Sequence, residues 1–436
     1  MTGKWRELTF SEAVFVNPPV RLERGCHYPF VDMSAVSPEF RCAYANEERE
    51  FSGSGSRFQH GDVLMARITP CLENGKIARF CASESSQVAH GSTEFIVIRG
   101  RPSVTHTDFA YYLTLWEEVR GYAISHMTGT SGRQRVPTDS FDHLTVPIPP
   151  LPEQRAIAHI LGTLDDKIEL NRRLSETLEQ MARALFKAWF VDFEPVRAKM
   201  EGRWRRGESL PGFPAHLYDL FPDRLVDSEL GEIPEGWGVG TLGDVSTLNP
   251  EVWTQETRPT RINYVDLSNT KWGRIETVIS YEATKAPSRA QRVLRLGDTI
   301  VGTVRPANGS YAFISQPGLT GSTGFAVLRP QRLDYAEFVY LAATMADNIE
   351  TLAHLANGAA YPAVRPQLVA ATPIVRPPDK VLVRFSQTAG SMLEKIAQNE
   401  RQSRTLVALR DTLLPKLISG ALRVTDAERF LEERGL

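Results

Sequence analysis

A short motif near the start of the chain has the residue types of a base-modifying site. Asn-Pro-Pro-Val occupies positions 17–20. It is one residue type away from the Asn-Pro-Pro-aromatic motif of adenine methyltransferases, whose aromatic side chain stacks on a flipped base. Val20 cannot stack in this way, and no Gly-rich cofactor loop lies between a strand and a helix. We therefore interpret Asn17 and Pro18 as a turn after the first strand, and we expect no methyl transfer by this chain.

The sequence contains no other catalytic signature. No Gly-x-x-x-x-Gly-Lys-Ser/Thr segment occurs to bind ATP phosphates, and the nine histidines show no His-Glu-x-x-His spacing. The four cysteines lie in the first quarter without a Cys-x-x-Cys pair, and Cys26-His27 alone is too little for zinc. We expect no catalytic residue, no metal site and reduced thiols.

Composition sets the class of protein. A chain of 436 residues with 42% hydrophobic and 23% charged residues can build two or three domains with proper cores. The net charge of −2 neither demands nor excludes an anionic partner, so local charge must decide. The N-terminal sequence lacks signal-peptide features, and no run of 18 apolar residues occurs. We expect a cytoplasmic protein without membrane association.

The chain is built from one unit that occurs twice. Motifs of the first part recur in the same order in the second: Trp5 with Trp237, Asn-Pro at 17–18 with 249–250, Gly-Asp at 61–62 with 297–298, and Gly-Ser-Thr at 91–93 with 321–323. Between them, short β-branched runs alternate with Gly-rich turns and one or two helical segments. Each unit therefore begins with a head of the α+β class.

A long amphipathic helix is predicted to follow each head. Between Leu151 and about Asp192, Gly162 is the one glycine or proline after position 152, and apolar residues recur every seven positions. A stretch from about Val381 to Ser419 repeats the pattern 228 residues later. The positions predicted to pair the helices are Ile157, Leu164, Asn171, Leu178 and Leu185 in the first and Phe385, Met392, Asn399, Leu406 and Leu413 in the second.

Both helices carry an asparagine at the same place on this seam. A lone Asn there costs stability but fixes register and partner. We therefore predict an antiparallel coiled coil with the asparagines near the crossing, which gives the chain pseudo-two-fold symmetry. Further apolar residues are expected to fill the intervening half-turns of the first helix: Ile160, Ile168, Leu174 and Met181. The alternative is two unrelated helices, each covering its own domain.

These patterns divide the chain into six segments. They are a head at 1–150, a helix at 151–193, a linker at 194–235, a head at 236–378, a helix at 379–420 and a tail at 421–436. The linker is rich in Pro, Gly and charge. We interpret it as a solvated, mobile segment, with a nucleic-acid arm as the alternative.

The motifs that flank and fill these helices resemble one family, the DNA-specificity (S) subunits of type I restriction–modification enzymes. Pro-Ile-Pro-Pro-Leu-Pro-Glu-Gln at 147–154 resembles the family's entry into its first conserved helix. Leu-Asp-x-Lys-Ile-x-x-Asn at 164–171 and Trp-Phe-x-Asp-Phe at 189–193 resemble its continuation. The segment 228–237 resembles the opening of the second recognition domain, and 414–420 the end of the second helix. The resemblance spans the whole chain.

The resemblance implies a division of labour. Each head would be a target recognition domain that reads one half of a bipartite, asymmetric site in double-stranded DNA. The helices would set the unread spacer and dock two modification subunits. This chain would hold no cofactor, because S-adenosylmethionine, ATP and Mg²⁺ would belong to the modification and restriction subunits. It would therefore be non-catalytic by itself.

DNA contact requires Lys or Arg near phosphates and side chains that reach base edges. In the first head, the Gly-bounded loop at 131–135 carries two residues suited to guanine, Arg133 and Arg135, and one suited to adenine, Gln134. Its place resembles one that the family uses for DNA contact, and a plain surface loop is the alternative. Arg67 and Lys76 form a second candidate.

In the second head, the span 271–305 holds seven cations against three carboxylates, with Trp272 and Tyr281 interleaved. The DNA-binding residues predicted in this head are Lys271, Arg274, Arg289, Arg292, Arg305, Tyr361 and Arg365, the last two at the place equivalent to the Arg133 loop. Two other functions stay open: a methyltransferase or nuclease in its own right, and a coiled-coil scaffold whose heads bind protein. Basic clefts on the heads would distinguish a DNA reader from a scaffold.

Overall fold

Two amphipathic segments of 40 residues form the long helices Leu151–Phe190 and Asp379–Ile418. The structure is a computed structural model that describes residues 4–82, 87–130, 132–254, 256–358 and 361–433. The chain forms two units, one of Met1–Arg172 with Glu400–Leu436 (unit 1) and one of Arg173–Asn399 (unit 2). Each unit contains one head and part of both long helices.

Unit 1 combines strands, short helices and a helical C-terminal segment. Its strands are β1 (Arg6–Thr9), β2 (Val14–Val16), β3 (His27–Val31), β4 (Cys42–Ala43), β5 (Glu47–Glu50), β6 (Ser56–Gln59), β7 (Val63–Ala66), β8 (Ile77–Phe80), β9 (Val88–Gly91), β10 (Phe95–Gly100) and β11 (Thr145–Ile148). Its helices are α1 (Phe10–Ala13), α2 (Thr107–Leu115), α3 (Glu117–Ser125) and the start of the first long helix, α4 (Leu151–Phe190).

The strands of unit 1 form two main sheets with the orders β2-β10-β7-β8-β4 and β5-β3-β9-β6, and β1 pairs with β11. Residues on β7 alternate between two apolar clusters. Val63 and Met65 pack with the helices, whereas Leu64 packs with the second cluster, which includes Val31 and Phe58. Because both faces of this strand are buried, its sequence is an unbroken apolar run.

Unit 2 begins within the first long helix and ends within the second. Its helices after α4 are α5 (Glu194–Met200), α6 (Ala336–Ala343), α7 (Ala346–Leu355), α8 (Pro366–Ala370) and the start of the second long helix, α9 (Asp379–Ile418); α10 (Val424–Glu432) belongs to unit 1. Its strands are β12 (Leu225–Ser228), β13 (Gly231–Pro234), β14 (Gly238–Thr241), β15 (Ser246–Leu248), β16 (Arg261–Val265), β17 (Thr270–Lys271), β18 (Arg274–Ile275), β19 (Ile279–Glu282), β20 (Ala290–Val293), β21 (Thr299–Gly302), β22 (Tyr311–Phe313), β23 (Leu319–Ser322), β24 (Phe325–Pro330) and β25 (Pro373–Arg376).

The head of unit 2 repeats the strand topology of the head of unit 1. Its sheets have the orders β15-β24-β21-β22 and β19-β16-β23-β20, and β14 pairs with β25 as β1 pairs with β11. The parallel pair β16–β23 corresponds to β3–β9. The predicted α+β class and the duplicated head are confirmed.

The repeated Asn-Pro motif forms the same turn in both heads. Asn17 and Asn249 have φ values of 51° and 48°, in the left-handed region that Asn tolerates better than most residues. The Asn17 Oδ1 accepts from the Val97 N–H at 2.9 Å, and the Asn249 Oδ1 accepts from the Val327 N–H at 3.0 Å. The interpretation of this motif as a turn after a strand is confirmed.

The Leu-Pro-Glu-Gln motif joins the first long helix to the head of unit 1. The buried Gln154 amide donates from Nε2 to the carbonyls of Val104 and Pro149 at 2.8 and 2.7 Å. Its Oε1 accepts from the His106 N–H at 2.7 Å. Because one side chain satisfies three buried backbone groups, it fixes the direction in which the helix leaves the head.

The long helices pack together in antiparallel fashion within each unit, as predicted. In unit 1, the Asp165 carboxylate meets Arg410 at 2.9 Å, and further along the helix Asn171 donates to Gln402 at 2.9 Å. In unit 2, Asn399 donates to the Ser175 hydroxyl at 3.2 Å.

The seam of this helix pair is polar at its centre. Asn171 and Asn399 are each 3% exposed, and each donates to a serine of the other helix, Ser403 and Ser175 respectively. Of the predicted pairing positions, the fully buried apolar ones are Ile157, Leu164, Phe385, Leu406 and Leu413, and the partly buried ones are Leu178, Leu185 and Met392.

Two residues expected on the seam lie outside it. Leu174 and Met181 are 38% and 49% exposed, and the neighbouring Ser175 and Ala182 are buried instead. The expectation was wrong because the apolar face of the first long helix is wider than the strip that its partner covers. A repeated Asn-x-x-x-Ser pattern, at 171–175 and 399–403, was the sequence signal for the true centre.

The interpretation of the linker as a mobile segment is wrong. It contains α5 and the β12–β13 hairpin, and it contributes to the core of unit 2. Trp204 is 1% exposed and donates from Nε1 to the Glu208 carbonyl at 2.9 Å. Several of the charges that suggested solvation form ion pairs, such as Lys199 with Asp223 at 3.0 Å.

Two further expectations need correction. The segment after 420 is no free tail, because Ala427 and Leu431 of α10 are buried in the core of unit 1. The structure joins Cys42 and Cys81 by a disulfide, since the neighbouring parallel strands β4 and β8 place their Cα atoms 5.5 Å apart. Strand pairing of this kind cannot be read from cysteine spacing.

Trp204→Ala should release the folded segment 194–235. Loss of a buried Trp typically costs about 3–5 kcal/mol, and this residue packs between Phe213, Tyr218 and Phe221. We expect limited trypsin digestion to cleave the variant within 194–206 much faster than the native chain. Leu230→Ala, at a 43% exposed position of the same segment, is the control. Equally fast cleavage of the native chain would show that the segment does not stay packed.

Asn171→Leu should keep the helices but loosen their register. The change removes hydrogen bonds to Gln402 and Ser403, worth about 1 kcal/mol each, and adds apolar surface that fits several registers. We expect unchanged helical circular dichroism and faster amide exchange near residues 171 and 402. Leu174→Ala, at an exposed position, should leave exchange unaltered; an identical effect in both variants would make the asparagine incidental.

Candidate nucleic-acid interface

The loop at 128–136 of unit 1 lies against the end of β7. The Thr69 N–H donates to the Gln134 carbonyl at 3.0 Å, and the Val136 N–H donates to the Arg67 carbonyl at 2.9 Å. The structure therefore brings Arg67 to the loop, so that two separate sequence candidates become one surface. We call the residues Arg67, Arg133, Gln134 and Arg135 the first basic surface. Ser131 lies outside the described residues.

The charges of the first basic surface are only partly neutralised. Arg135 donates to both Glu94 oxygens, at 2.7 and 2.9 Å. This hydrogen bonding holds the pKa of Glu94 below its usual value, and Glu94 also attracts Arg67. Arg133 is exposed, and within the described ranges it forms no ion pair. The surface thus carries three guanidinium groups, and its one neighbouring carboxylate, Glu94, interacts with two of them, Arg135 and Arg67.

Lys76 does not contribute to this surface. Its ammonium group donates to the Met33 carbonyl at 2.6 Å and is partly buried. The sequence placed Lys76 beside Arg67 because both flank the Pro70 turn. The structure instead directs the lysine side chain to a backbone acceptor.

Unit 2 builds the equivalent loop with different side chains. The Val364 N–H donates to the Thr303 carbonyl at 2.9 Å, as Val136 donates to Arg67 in unit 1. Counting back from the valine, Tyr361 takes the place of Arg133. Tyr361 is 73% exposed, and the Arg305 guanidinium lies 5.0 Å from its ring centroid.

A hairpin places a second aromatic residue beside the turn that follows Arg305. Trp272 lies between β17 and β18, is 61% exposed and donates from its backbone N–H to the Gly309 carbonyl at 2.6 Å. A Cβ at Gly309 would lie 2.6 Å from the indole ring, so this close approach requires glycine. We call the residues Lys271, Trp272, Arg274, Arg305 and Tyr361 the second basic surface.

The remaining cations predicted in this head lie elsewhere. Arg289 pairs with Asp266 at 2.5 Å and donates to the Tyr264 hydroxyl at 3.0 Å, next to the sheet that contains β20. Arg292 lies on β20, and desolvation lowers its pKa; in the part of the chain that is described, no carboxylate faces it. Arg365 is the exposed residue before α8.

The two basic surfaces carry the groups needed to read DNA. Arg can donate to guanine, and Gln can bind adenine. Exposed aromatic rings can stack on bases, and cations attract phosphates. Across the described ranges, no group of His, Cys, Asp or Glu residues is arranged to hold a metal ion.

No helix of the described segments has the length and apolar character needed to cross a membrane.

Sequence reasoning missed two residues of the first head. Glu94 neutralises Arg135, and Arg57 lines a cleft beside Arg67. Both lie on or next to strands, where only the strand pairing reveals their neighbours. The Gly-Ser-Thr repeat just before Glu94 was the nearest available signal.

Glu94→Gln should remove a pH-dependent stabilisation. A carboxyl whose pKa is lowered by folding stabilises the folded state above its unfolded pKa, and that contribution is lost as the pH falls through the lowered value. We expect a lower Tm for the variant at pH 7, and a difference that starts to shrink below about pH 4, near the unfolded pKa, and vanishes only below the lowered pKa of the folded state. Glu118→Gln, which changes an exposed carboxylate of the same head, is the control. A Tm difference that persists at acidic pH would exclude this explanation.

Comparison with known proteins places the chain in a family. The model of the type I restriction modification DNA specificity domain matches residues 28–180. The HindI specificity subunit of Haemophilus influenzae is 27% identical over 83% of this chain and 86% of its own length. The MjaIX specificity subunit of Methanocaldococcus jannaschii is 24% identical over 73% of this chain and 70% of its own.

A solved structure agrees at the level of the fold. The type I restriction–modification S subunit from M. genitalium superposes with a TM-score of 0.54 at 16% identity, over 95% of this chain and 96% of that one. The domain match covers most of the head of unit 1 and most of the first long helix, and unit 2 repeats the same head topology. Together with the motifs of the sequence, these similarities indicate a type I restriction–modification specificity subunit.

Proposed function

We propose that this chain reads DNA sequence for a type I restriction–modification complex, with each head reading one half of a bipartite, asymmetric site. One observation carries the proposal. The two heads share a strand topology but present different side chains at the same loop position, Arg133 in one and Tyr361 in the other. Because the reading positions differ, the two half-sites should differ in sequence.

The first basic surface suits a half-site that contains guanine. Arg133 is exposed, so its guanidinium is available to the O6 and N7 acceptors of guanine. Gln134 can add contact with adenine. Arg67 is held in place by donating to the Val136 carbonyl at 3.0 Å. The rigid neighbours reduce the entropy that binding must remove.

The second basic surface suits a different kind of contact. Tyr361 and Trp272 expose their rings, and Arg305 lies against one of them. Exposed rings favour shape and stacking over hydrogen-bond reading. Lys271 and Arg274 supply charge for the phosphates that flank the contact.

The long helices are proposed to set the spacer between the half-sites. A 40-residue helix is about 60 Å long at 1.5 Å per residue, and half-sites on one face of B-DNA repeat about every 34 Å. The hydrogen bonds of Asn171 and Asn399 would fix the helix register and, with it, the spacer.

The partners follow from this role. We propose that two modification subunits dock on the helices and carry the S-adenosylmethionine chemistry, and that restriction subunits supply ATP- and Mg²⁺-dependent motor and nuclease activity. The chain itself would hold no cofactor and would act in the cytoplasm. It would therefore contribute to methylation by positioning the modification subunits on the DNA.

The reciprocal variants Arg133→Ala and Tyr361→Ala test the reading of two half-sites. Each would be assembled with its modification subunits, on a site first located by methylation-sensitive sequencing. We expect each variant to methylate a different half-site about tenfold or more slowly, since one good base contact is worth about 1–3 kcal/mol.

Arg120→Ala is the matched control, because it removes one arginine of the same head that is paired with Glu117 on α3. It should methylate both half-sites normally. If Arg133→Ala and Tyr361→Ala impaired both half-sites equally, or neither, the assignment of one head to each half-site would be wrong.

A further inference from the structure

A cleft of about 380 Å³ opens in the head of unit 1 beside the first basic surface. The Asn-Pro-Pro-Val turn at 17–20 forms one wall, with Phe95 and Val97 of β10. Arg57 of β6 and Arg67 lie on its lining, together with the Thr93 hydroxyl group. Arg67 belongs both to this cleft and to the first basic surface, so the two are continuous.

The residues that line this cleft carry a net positive charge. It contains two guanidinium groups and no carboxylate. Arg57 is exposed and donates to the Gly53 carbonyl at 3.3 Å, and its guanidinium lies 4.9 Å from the ring centroid of Phe51. The nearby Glu94 is already bound by Arg135 through both of its oxygens.

An amide group also lines the cleft, that of Asn17. Asn17 uses its Oδ1 to accept from Val97, so its amide Nδ2 is left to donate. Apolar walls reduce the local dielectric constant, which strengthens the attraction of a guanidinium for an anion.

A neighbouring cavity of about 430 Å³ provides the contrast. It contains Arg49, whose guanidinium lies 3.9 Å from the ring centroid of Phe30, much as Arg57 lies over Phe51. Arg49, however, pairs with Glu47, and Asp32 and Glu50 line the same cavity. Carboxylates therefore outnumber the single guanidinium in that cavity, and its net charge is negative.

We propose that the cleft between Arg57 and Arg67 binds one phosphodiester group of the DNA backbone. This assignment rests on the proposed function, since it places a backbone contact beside the loop that reads bases. Phosphate contacts fix the register of a protein on the duplex, and base contacts supply the specificity. Arg57 would thus position the head on the DNA backbone, while Arg133 would contact a base.

The test measures the salt dependence of binding to a 30-base-pair duplex of random sequence, by fluorescence anisotropy with the full chain. Each phosphate contact contributes about −0.9 to the slope of log affinity against log salt. We expect Arg57→Ala to reduce the steepness of that slope by about this amount. Arg57→Lys should retain it. Arg49→Ala, the matched loss of a ring-stacked arginine, should behave as the native chain.

The outcomes separate this proposal from the reading function. If Arg57→Ala matches Arg49→Ala while Arg133→Ala still impairs one half-site, the cleft does not bind DNA and the reading function stands. If Arg57→Ala lowers the slope while Arg133→Ala and Tyr361→Ala leave methylation unchanged, the cleft binds DNA and the reading assignment fails. Equal melting temperatures of Arg57→Ala, Arg57→Lys and Arg49→Ala would show that none of these three variants is unfolded.

A final measurement distinguishes DNA phosphate from free phosphate. Inorganic phosphate and chloride are compared at equal ionic strength. A phosphate-dependent rise in Tm that Arg57→Ala abolishes, without any change of the DNA slope, would mean that the cleft takes free phosphate and would overturn the DNA assignment.

Discussion

The hydrogen bonds between asparagine and serine at the centre of the long helices constrain how the two helices align. Asn171 meets Ser403 in unit 1, and Asn399 meets Ser175 in unit 2. A buried amide that loses its partner pays the full cost of desolvation, so a slipped register is penalised. Apolar side chains tolerate sliding, whereas these polar pairs do not. The helices thus gain a defined alignment at some expense of stability.

The heads separate a scaffold function from a reading function. Turns such as Asn17 with Val97 and buried pairs such as Arg99 with Asp62 build the scaffold, and their equivalents, Asn249 with Val327 and Arg329 with Asp298, recur in unit 2. The proposed reading positions lie on loops that rest on this scaffold. Because the scaffold carries the core, two heads of one topology can present surfaces of different chemistry.

Much of this architecture follows from the sequence, because periodicity and repetition report on backbone geometry. The heptads predicted the helix that begins at Leu151, and the repeated motifs predicted two similar heads. The exposed positions of Leu174 and Met181 did not follow, since an apolar face does not reveal how much of it a partner covers. The folded linker did not follow either, because burial of a few aromatic residues such as Trp204 folds a segment whose charged composition suggested solvation. For the site, residue type identified Arg133, but only strand pairing revealed Glu94 beside Arg135.

The exposure of the loop residues bears on how such a protein evolves. Arg133 and Tyr361 project from loops and contribute nothing to the apolar cores of their heads. Surface substitutions of this kind usually alter the free energy of unfolding by less than about 0.5 kcal/mol. If these loops read DNA as proposed, a few codon changes could therefore alter the target sequence while the cores of both heads stay intact.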